Sequence, residues 1–325
     1  MYMLTTQSKF SYLKFKVFAL LLLLLTAFAP ATAQKQAGAL TQVQREELKT
    51  AETGLAALAE RMYTDSSADV RFESVRNLIK GLVATLKTPN SFSYPFNNLR
   101  GVSIQYAPDS TFRIFTMELH VNRDEYRHYG AIQKNSSELQ LTPLIDRTFE
   151  LRQNPETAAL TADRWLGASY YNLLEAGVYR GNRYYFLFGF DSYSTYRRRK
   201  ILEVFYFDAE GKPHFGAPVF LTANAEGQVI PDRHRIILEY GAEGTAALRF
   251  DPDLNAIVYE NLILTPGSNG EGPVAMPDGS YHSLTKNERG LWRESDRVFT
   301  QVLEEAPREV AKPVEGKDII GRRRN

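Results

Sequence analysis

Two stretches of the chain decide the fold that we expect: Tyr184-Tyr185-Phe186-Leu187-Phe188 and Ile201-Leu202-Glu203-Val204-Phe205-Tyr206-Phe207. The first stretch shows no polar alternation, and the second contains a single charged residue. A strand in a sheet with one solvated face alternates apolar and polar side chains, because successive side chains point to opposite faces. We therefore predict two strands that are covered on both faces by other parts of the protein.

The surrounding region, 91–302, is predicted to be one β-rich domain. Residues 91–300 hold 15 of the 18 tyrosines, 14 of the 19 phenylalanines and both tryptophans, and aromatic residues favour strands. Short connections rich in Pro, Asp, Asn and Gly favour antiparallel neighbours. The predicted topology is an antiparallel β-meander, with a wrapped sheet, a barrel and a partial propeller left open. Strands are predicted at Val102–Tyr106, Thr111–Val121, Tyr126–Lys134, Arg183–Phe190, Lys200–Asp208, His214–Leu221, His234–Tyr240, Ala246–Phe250, Ala256–Leu264, Tyr281–Thr285 and Gly290–Phe299.

Helices are expected in two places, so the predicted class is α+β, mainly β. Residues 34–90 are predicted to form an antiparallel helical hairpin, because apolar residues recur every three or four positions in Gln42 to Met62 and in Arg71 to Lys87. We expect its apolar stripes to pack on each other and on the following domain; a partner-binding or dimerising hairpin is the alternative. A similar spacing near Asp163 to Ala176 predicts one further helix, which would cover a face of the sheet.

Residues 1–33 have the pattern of a secretory signal peptide. Lys14 and Lys16 precede an apolar run from Val17 to Phe28, and Ala31-Thr32-Ala33 offers a cleavage site. The run is short for a membrane span, and the alternative is an uncleaved N-terminal anchor. Cleavage would leave 292 residues with a formal charge of −2, since three lysines leave with the segment. We expect a soluble protein, periplasmic or extracellular, with no membrane span after cleavage.

The composition excludes several classes of protein. The chain is 43% hydrophobic and carries 39 Lys and Arg against 38 Asp and Glu, which disfavours both global disorder and nucleic-acid binding. The absence of cysteine excludes disulfides, zinc-thiolate sites and a cysteine nucleophile. A chain of this size can bury a core without disulfides, and a bacterial envelope protein fits this composition. The end of the chain, 303–325, mixes charges with two prolines and is predicted to be disordered.

A search for chemistry returns mainly negative results. The sequence has no nucleophile elbow, His-Glu-x-x-His, Walker loop or Gly-x-Gly-x-x-Gly. The pattern Asp251-x-Asp253-x-Asn255 begins like a calcium loop, but Ala256 and Leu262 occupy the positions that need Gly and Glu. The five histidines have no ligand spacing, although a site built across strands would not need one. We therefore predict no metal and no cofactor.

Five short motifs occur in order along the β-rich region. They are Ala107-Pro108-Asp109 with Phe112-Arg113-Ile114-Phe115, Arg199-Lys200-Ile201-Leu202-Glu203-Val204, Phe215-Gly216-Ala217-Pro218-Val219-Phe220, Arg235-Ile236-Ile237-Leu238-Glu239-Tyr240 and Pro277-Asp278-Gly279-Ser280-Tyr281. Together they resemble an uncharacterised family of predicted secreted bacterial proteins, although Met117 stands where that pattern has a tryptophan. The resemblance covers about residues 95–300 and implies a single secreted β-rich unit, without an activity.

Two functions follow as hypotheses. The first is a non-enzymatic binding or assembly module of the envelope, with an unknown protein or glycan partner, because tyrosine and tryptophan often serve such surfaces. The second is a hydrolase acting on an envelope polymer, with Asp109 and Asp278 as the acid and base and with Arg113 and Tyr281 orienting substrate. A carboxylate pair needs a separation below about 10 Å for this chemistry.

Overall fold

A computed structural model describes residues 35–223, 228–268, 270 and 272–295. The predicted signal peptide and the predicted disordered segment 303–325 lie outside the described residues, as does the end of the predicted β-rich region. The described part contains two α-helices and fifteen strands, and it is mainly β. Its three sheets are open, so no closed barrel forms within these residues. None of its helices is long and apolar enough to cross a membrane.

The helical hairpin consists of α1, Gln42–Thr64, and α2, Ala68–Leu86. A capping box starts α1, in which Thr41 accepts from the Gln44 amide while the Gln44 side chain accepts from the Thr41 amide. The apolar stripes of the two helices share one core with the strand that contains Phe115, Met117 and Leu119. The hairpin therefore covers one face of the first sheet.

Each of the three sheets is largely an antiparallel meander. The described strands are β1 Ser103–Tyr106, β2 Phe112–Asn122, β3 Glu125–Lys134, β4 Leu141–Ile145, β5 Leu160–Thr161, β6 Ser169–Tyr179, β7 Asn182–Asp191, β8 Arg197–Phe207, β9 Pro213–Phe215, β10 Phe220–Leu221, β11 Arg235–Gly241, β12 Leu248–Asp251, β13 Ala256–Thr265, β14 Val274–Lys286 and β15 Trp292–Ser295. The first sheet has the order β1-β2-β3-β4, and the central sheet has the order β5-β9-β8-β7-β6, with β11 also paired to β8. The third sheet has the order β10-β15-β14-β13-β12, in which only the short β10–β15 pairing is parallel among the described strands.

The central sheet is apolar on both faces, which confirms the prediction made from 184–188 and 201–207. In β7, Tyr185 and Leu187 belong to a core shared with the first sheet. Tyr184, Phe186 and Phe188 belong to a second core, which is shared with the third sheet. The protein is thus a stack of helical hairpin, first sheet, central sheet and third sheet.

The further helix predicted near Asp163 to Ala176 is wrong. Only a short 3₁₀ turn, Ala162–Arg164, precedes β6, which pairs with β7. The buried residues of β6 are Tyr170, Leu173 and Ala176, and register shifts interrupt the pairing between them. Each β-bulge inserts a residue and displaces the alternation, so a bulged strand acquires the three-residue spacing of a helix.

Candidate functional site

The two aspartates proposed as a catalytic pair have separate partners in separate sheets. Asp109 precedes β2 and accepts from Tyr185 Oη at 2.7 Å and from Arg183 at 2.6 Å. Burial would raise the pKa of Asp109, but these hydrogen bonds and those from Thr111 lower it. Asp278, in β14 of the third sheet, accepts from Ser280 and Asn261. No hydrogen bond or ion pair between described residues joins the two carboxylates.

The other two predicted site residues also lie apart. Tyr281 is half-buried in β14, opposite Glu260 of β13. Arg113 is fully buried in β2, with 0% of its surface exposed, so the predicted role in orienting a ligand does not fit its position.

The surroundings of Arg113 explain this burial. Its guanidinium donates to Gln133, to the Tyr106 hydroxyl and to the carbonyls of Ser91 and Tyr94. It also lies 4.8 to 5.4 Å from the centroids of four aromatic rings. Hydrogen bonds and cation–π contacts compensate a buried charge. The four rings around the Arg113 guanidinium are those of Phe92, Phe96, Tyr106 and Phe115.

A cavity of about 730 Å³ opens at the ends of β2, β3 and β4, where the first sheet meets the end of β7. We call it the His128 cavity, after the buried histidine in its wall. Its lining residues are Asn122, Asp124, Glu125, Tyr126, Arg127, His128, Tyr129, Leu144, Ile145, Asp146, Thr148, Phe149, Arg152, Asp191 and Tyr193.

Sheet register brings one histidine and three carboxylates together beside this cavity. Glu118 of β2 and His128 of β3 are direct cross-strand partners, and Asp191 ends β7. His128 Nε2 lies 3.0 Å from Glu118 Oε2 and 3.6 Å from Asp191 Oδ1. On the other side of the ring, Nδ1 lies 3.5 Å from Asp146 Oδ2. The imidazole therefore has carboxylate oxygens near both of its nitrogens.

Backbone groups of the chain that follows β7 hold two of the carboxylates. Glu118 accepts from the Ser192 amide at 2.8 Å, and its other oxygen accepts from the Ser192 hydroxyl. Asp191 Oδ1 accepts from the Tyr193 amide at 2.8 Å. The two bonds from Ser192 connect the first sheet to the central sheet, because Glu118 belongs to β2 and Ser192 directly follows β7.

The imidazole of His128 is held in place by Asp146 and by residues 165–167, which precede β6. Asp146 accepts from the backbone amide of His128 at 2.8 Å and from Thr148. Trp165 packs edge-on to the ring with its centroid 6.3 Å away. A Cβ atom on Gly167 would lie 2.6 Å from Nδ1 of His128. The ring position therefore depends on the absence of a side chain at Gly167.

The electrostatics of the cluster favour a protonated imidazole in the absence of another cation. Burial alone would lower the pKa of His128, but Asp146, Glu118 and Asp191 raise it to about 10. Burial would raise the pKa of Asp146, yet the contacts with His128 and Thr148 lower it to about 2. Burial would raise the pKa of Glu118, but the contacts with His128 and Ser192 together lower it. Burial dominates at Asp191 and raises its pKa.

Two buried polar atoms of the cluster lack a hydrogen-bond partner, Asp191 Oδ2 and His128 Nδ1. Both belong to residues that line the cavity and are at most 3% exposed. Glu118, His128 and Asp191 each offer a ligand atom within 4.8 Å of those of the other two. Within the described residues, this is the one such group of three histidine or acidic side chains that could hold a metal ion.

Sequence reasoning missed this site. His128 lies inside a predicted strand, and Asp191 follows one directly, so neither stood out by spacing. A usable indication was present in β2 and β3, where Glu118 and His128 are polar residues in two predicted strands that are joined by a short connection.

Comparisons with models of protein families, with curated proteins and with solved structures find no match for this chain. The resemblance to a family of secreted bacterial proteins therefore stays a prediction.

Proposed function

We propose that this protein is an exported, non-enzymatic binding module of the cell envelope, and that it holds a glycan segment in the His128 cavity. The observation that carries the proposal is the combination of aromatic rings and hydrogen-bonding side chains around a cavity of about 730 Å³. Ligand pockets of proteins have volumes of about 300–1,000 Å³. The cavity has room for a short oligosaccharide.

The aromatic part of the wall supports a ligand with flat apolar faces. Tyr126, Phe149 and Tyr193 line the cavity, and Phe149 is 77% exposed. When a ligand covers a large apolar ring that is this exposed to solvent, the burial of its surface stabilises the complex. Arg152 packs over Phe149 with its guanidinium 4.6 Å from the ring centroid. A sugar ring, with apolar faces and hydroxyl edges, matches both groups.

The polar part of the wall supports a ligand with many hydroxyl groups and little net charge. Asn122, Asp124 and Glu125 supply acceptors at the mouth, and Arg127 supplies donors. Arg127 is paired with Glu125 at 3.1 Å. Acidic and basic groups are mixed here, which favours a neutral or zwitterionic ligand over a polyanion.

Export rests on the sequence pattern of residues 1–33. Expression of the full chain in a bacterium with a general secretion system should yield a mature protein that begins at Gln34. Amino-terminal sequencing and intact mass of the protein from the periplasm and the medium test this expectation. Retention of Met1 on a membrane-bound product would refute the proposed cleavage.

Glycan binding is tested with soluble probes. Oligosaccharides of N-acetylglucosamine, peptidoglycan fragments and neutral glucose oligosaccharides are titrated into the protein by calorimetry. We expect one of these classes to bind, and we expect Phe149→Ala to weaken its binding about two- to twelvefold, because a ring contact contributes about 0.5–1.5 kcal/mol. Val178→Ala is the matched control, since Val178 is 69% exposed and lies at the end of β6, away from the cavity.

The proposal fails if none of the probes binds, or if Phe149→Ala and Val178→Ala bind equally well. Analysis of the same mixtures for shortened products addresses the alternative, a hydrolase. No contact between described residues brings Asp109 and Asp278 together, so we propose no catalytic pair.

A further inference from the structure

We infer that Glu118, His128 and Asp191 bind a first-row divalent transition-metal ion at the wall of the His128 cavity. The three residues come from three strands, β2, β3 and β7. The inference goes beyond glycan binding and does not depend on it.

The spacing of the donor atoms suits such an ion. Ligand atoms at about 2.1 Å from a tetrahedral metal lie about 3.4 Å from one another. His128 Nε2 lies 3.0 Å from Glu118 Oε2 and 3.6 Å from Asp191 Oδ1. These two separations lie on either side of that value, and one ligand atom from each of Glu118, His128 and Asp191 lies within 4.8 Å of those of the other two.

The unpartnered oxygen of Asp191 is an independent observation. Buried polar atoms in proteins are nearly always hydrogen-bonded, and an exception calls for a missing partner such as an ion. Asp191 is 2% exposed, and its Oδ2 has no partner. Its other oxygen, Oδ1, accepts from the Tyr193 amide and lies 3.6 Å from His128 Nε2, so Oδ2 is the atom of this buried carboxylate that remains without a partner.

The charges around the site also favour a cation. Three carboxylates, Glu118, Asp146 and Asp191, surround His128, and they outnumber it even when the imidazole carries a proton. The nearby guanidinium of Arg199 is already engaged, since it stacks 3.4 Å from the Tyr193 ring and pairs with Glu239. A divalent ion would balance the remaining negative charge.

The surroundings of the ligands have the form that metal sites use. A ligating histidine commonly has a carboxylate at its other ring nitrogen, which fixes the ring orientation. Asp146 Oδ2 lies on this side of the ring, 3.5 Å from Nδ1, where it accepts from the backbone amide of His128 rather than from Nδ1. Three protein ligands leave a coordination position free, and His128 and Asp191 both line the cavity. One imidazole and two carboxylates favour Zn²⁺ or Mn²⁺ over Ca²⁺, which prefers six to eight oxygen ligands.

The test is metal binding by the untagged mature protein after treatment with a chelator. Zn²⁺, Mn²⁺ and Ca²⁺ are titrated separately by calorimetry, and bound metal is counted after equilibrium dialysis. We expect one equivalent of Zn²⁺ or Mn²⁺, at least 100-fold weaker binding in Asp191→Asn and in Glu118→Gln, and 10- to 100-fold weaker binding in Asp146→Asn. Asp208→Asn is the control, because Asp208 pairs with His214 at 2.8 Å in a half-exposed site elsewhere.

Visible absorption of bound Co²⁺ supplies a readout that a merely structural change would not produce. A four- or five-coordinate Co²⁺ spectrum in the unmodified protein and in Asp208→Asn, lost in Asp191→Asn, supports the site. Circular dichroism establishes that each variant is folded. The inference is overturned if no metal binds, if binding survives both Asp191→Asn and Glu118→Gln, or if Asp208→Asn weakens it equally.

Discussion

Glu203 is the one charged residue in the strand segment 201–207, and it is fully buried beside Arg235 of β11. Arg235 Nε donates to Glu203 Oε2 at 2.7 Å, and neither side chain has any exposed surface. The remaining acceptors of Arg235 are the backbone carbonyls of Pro155 and Phe215. Replacing Glu203 by leucine would therefore leave a buried guanidinium with neutral partners only.

The size of the effect follows from this burial. Removing one member of a buried ion pair costs about 3–5 kcal/mol, because the other charge remains without compensation. We expect this loss for Glu203→Leu and again for Arg235→Met. If the two losses were independent, the double variant would lose about 6–10 kcal/mol, which is comparable to the whole stability of a domain. The double variant contains no unpaired buried charge, so we expect its free energy of unfolding to fall by less than that of either single variant.

Equilibrium unfolding in urea at pH 7 measures these differences. Trp165 lies in the core between the first and central sheets, and Trp292 lies in the core between the central and third sheets, so fluorescence reports on both. Arg183→Met is the control, because the Arg183 side chain is 50% exposed in its pair with Asp109, and we expect a much smaller change. Additive losses in the double variant, or a loss below about 1 kcal/mol in Glu203→Leu, would refute the reasoning.

Three further outcomes are expected. Gly167→Ala places a Cβ 2.6 Å from Nδ1 of the buried His128 ring and should lower the free energy of unfolding in urea by about 1–3 kcal/mol. An unchanged unfolding midpoint would contradict the close contact between residue 167 and the ring. Burial alone would raise the pKa of Glu239, but its ion pairs, chiefly with Arg199, lower it. That contribution to stability is present above the ordinary pKa of about 4.3 and is lost as the pH falls through the lower folded value. The unmodified protein should therefore lose more stability than Glu239→Gln between about pH 5 and pH 3, and parallel curves would refute this. Phe186→Ala removes a fully buried ring and should lower the free energy of unfolding by about 3–5 kcal/mol; a thermal shift of only one or two degrees would contradict it.

Much of the fold could be predicted because strands and helices leave local patterns. The strand expected at Lys200–Asp208 is β8, Arg197–Phe207, and the strand expected at Ala256–Leu264 is β13, Ala256–Thr265. The strand β6 could not be recognised, because its bulges depend on the pairing with β7 and erase the alternation. Local sequence patterns thus predicted these two strands, but they did not predict β4, Leu141–Ile145, although its pairing with β3 is regular.

The candidate site could not be predicted because it depends on contacts between sheets. Glu118 and Ser192 are 74 residues apart in sequence and touch only when the first sheet packs on the central one. The burial of Arg113 could not be predicted for a related reason. Its position after a Pro-Asp turn favours exposure, yet rings from the segment before β1 enclose it. Face-to-face packing of sheets leaves no repeat in the sequence.

The two-faced central sheet has a consequence for how this protein can be made. Its strands hold Leu187 on one side and Phe186 on the other, both without exposed surface. Neither outer layer can detach without placing one of these faces in water, where neighbouring copies of the same face would adhere to it. We therefore expect aggregation of chains in which the third sheet, most of which follows the central sheet in sequence, has not yet packed on it.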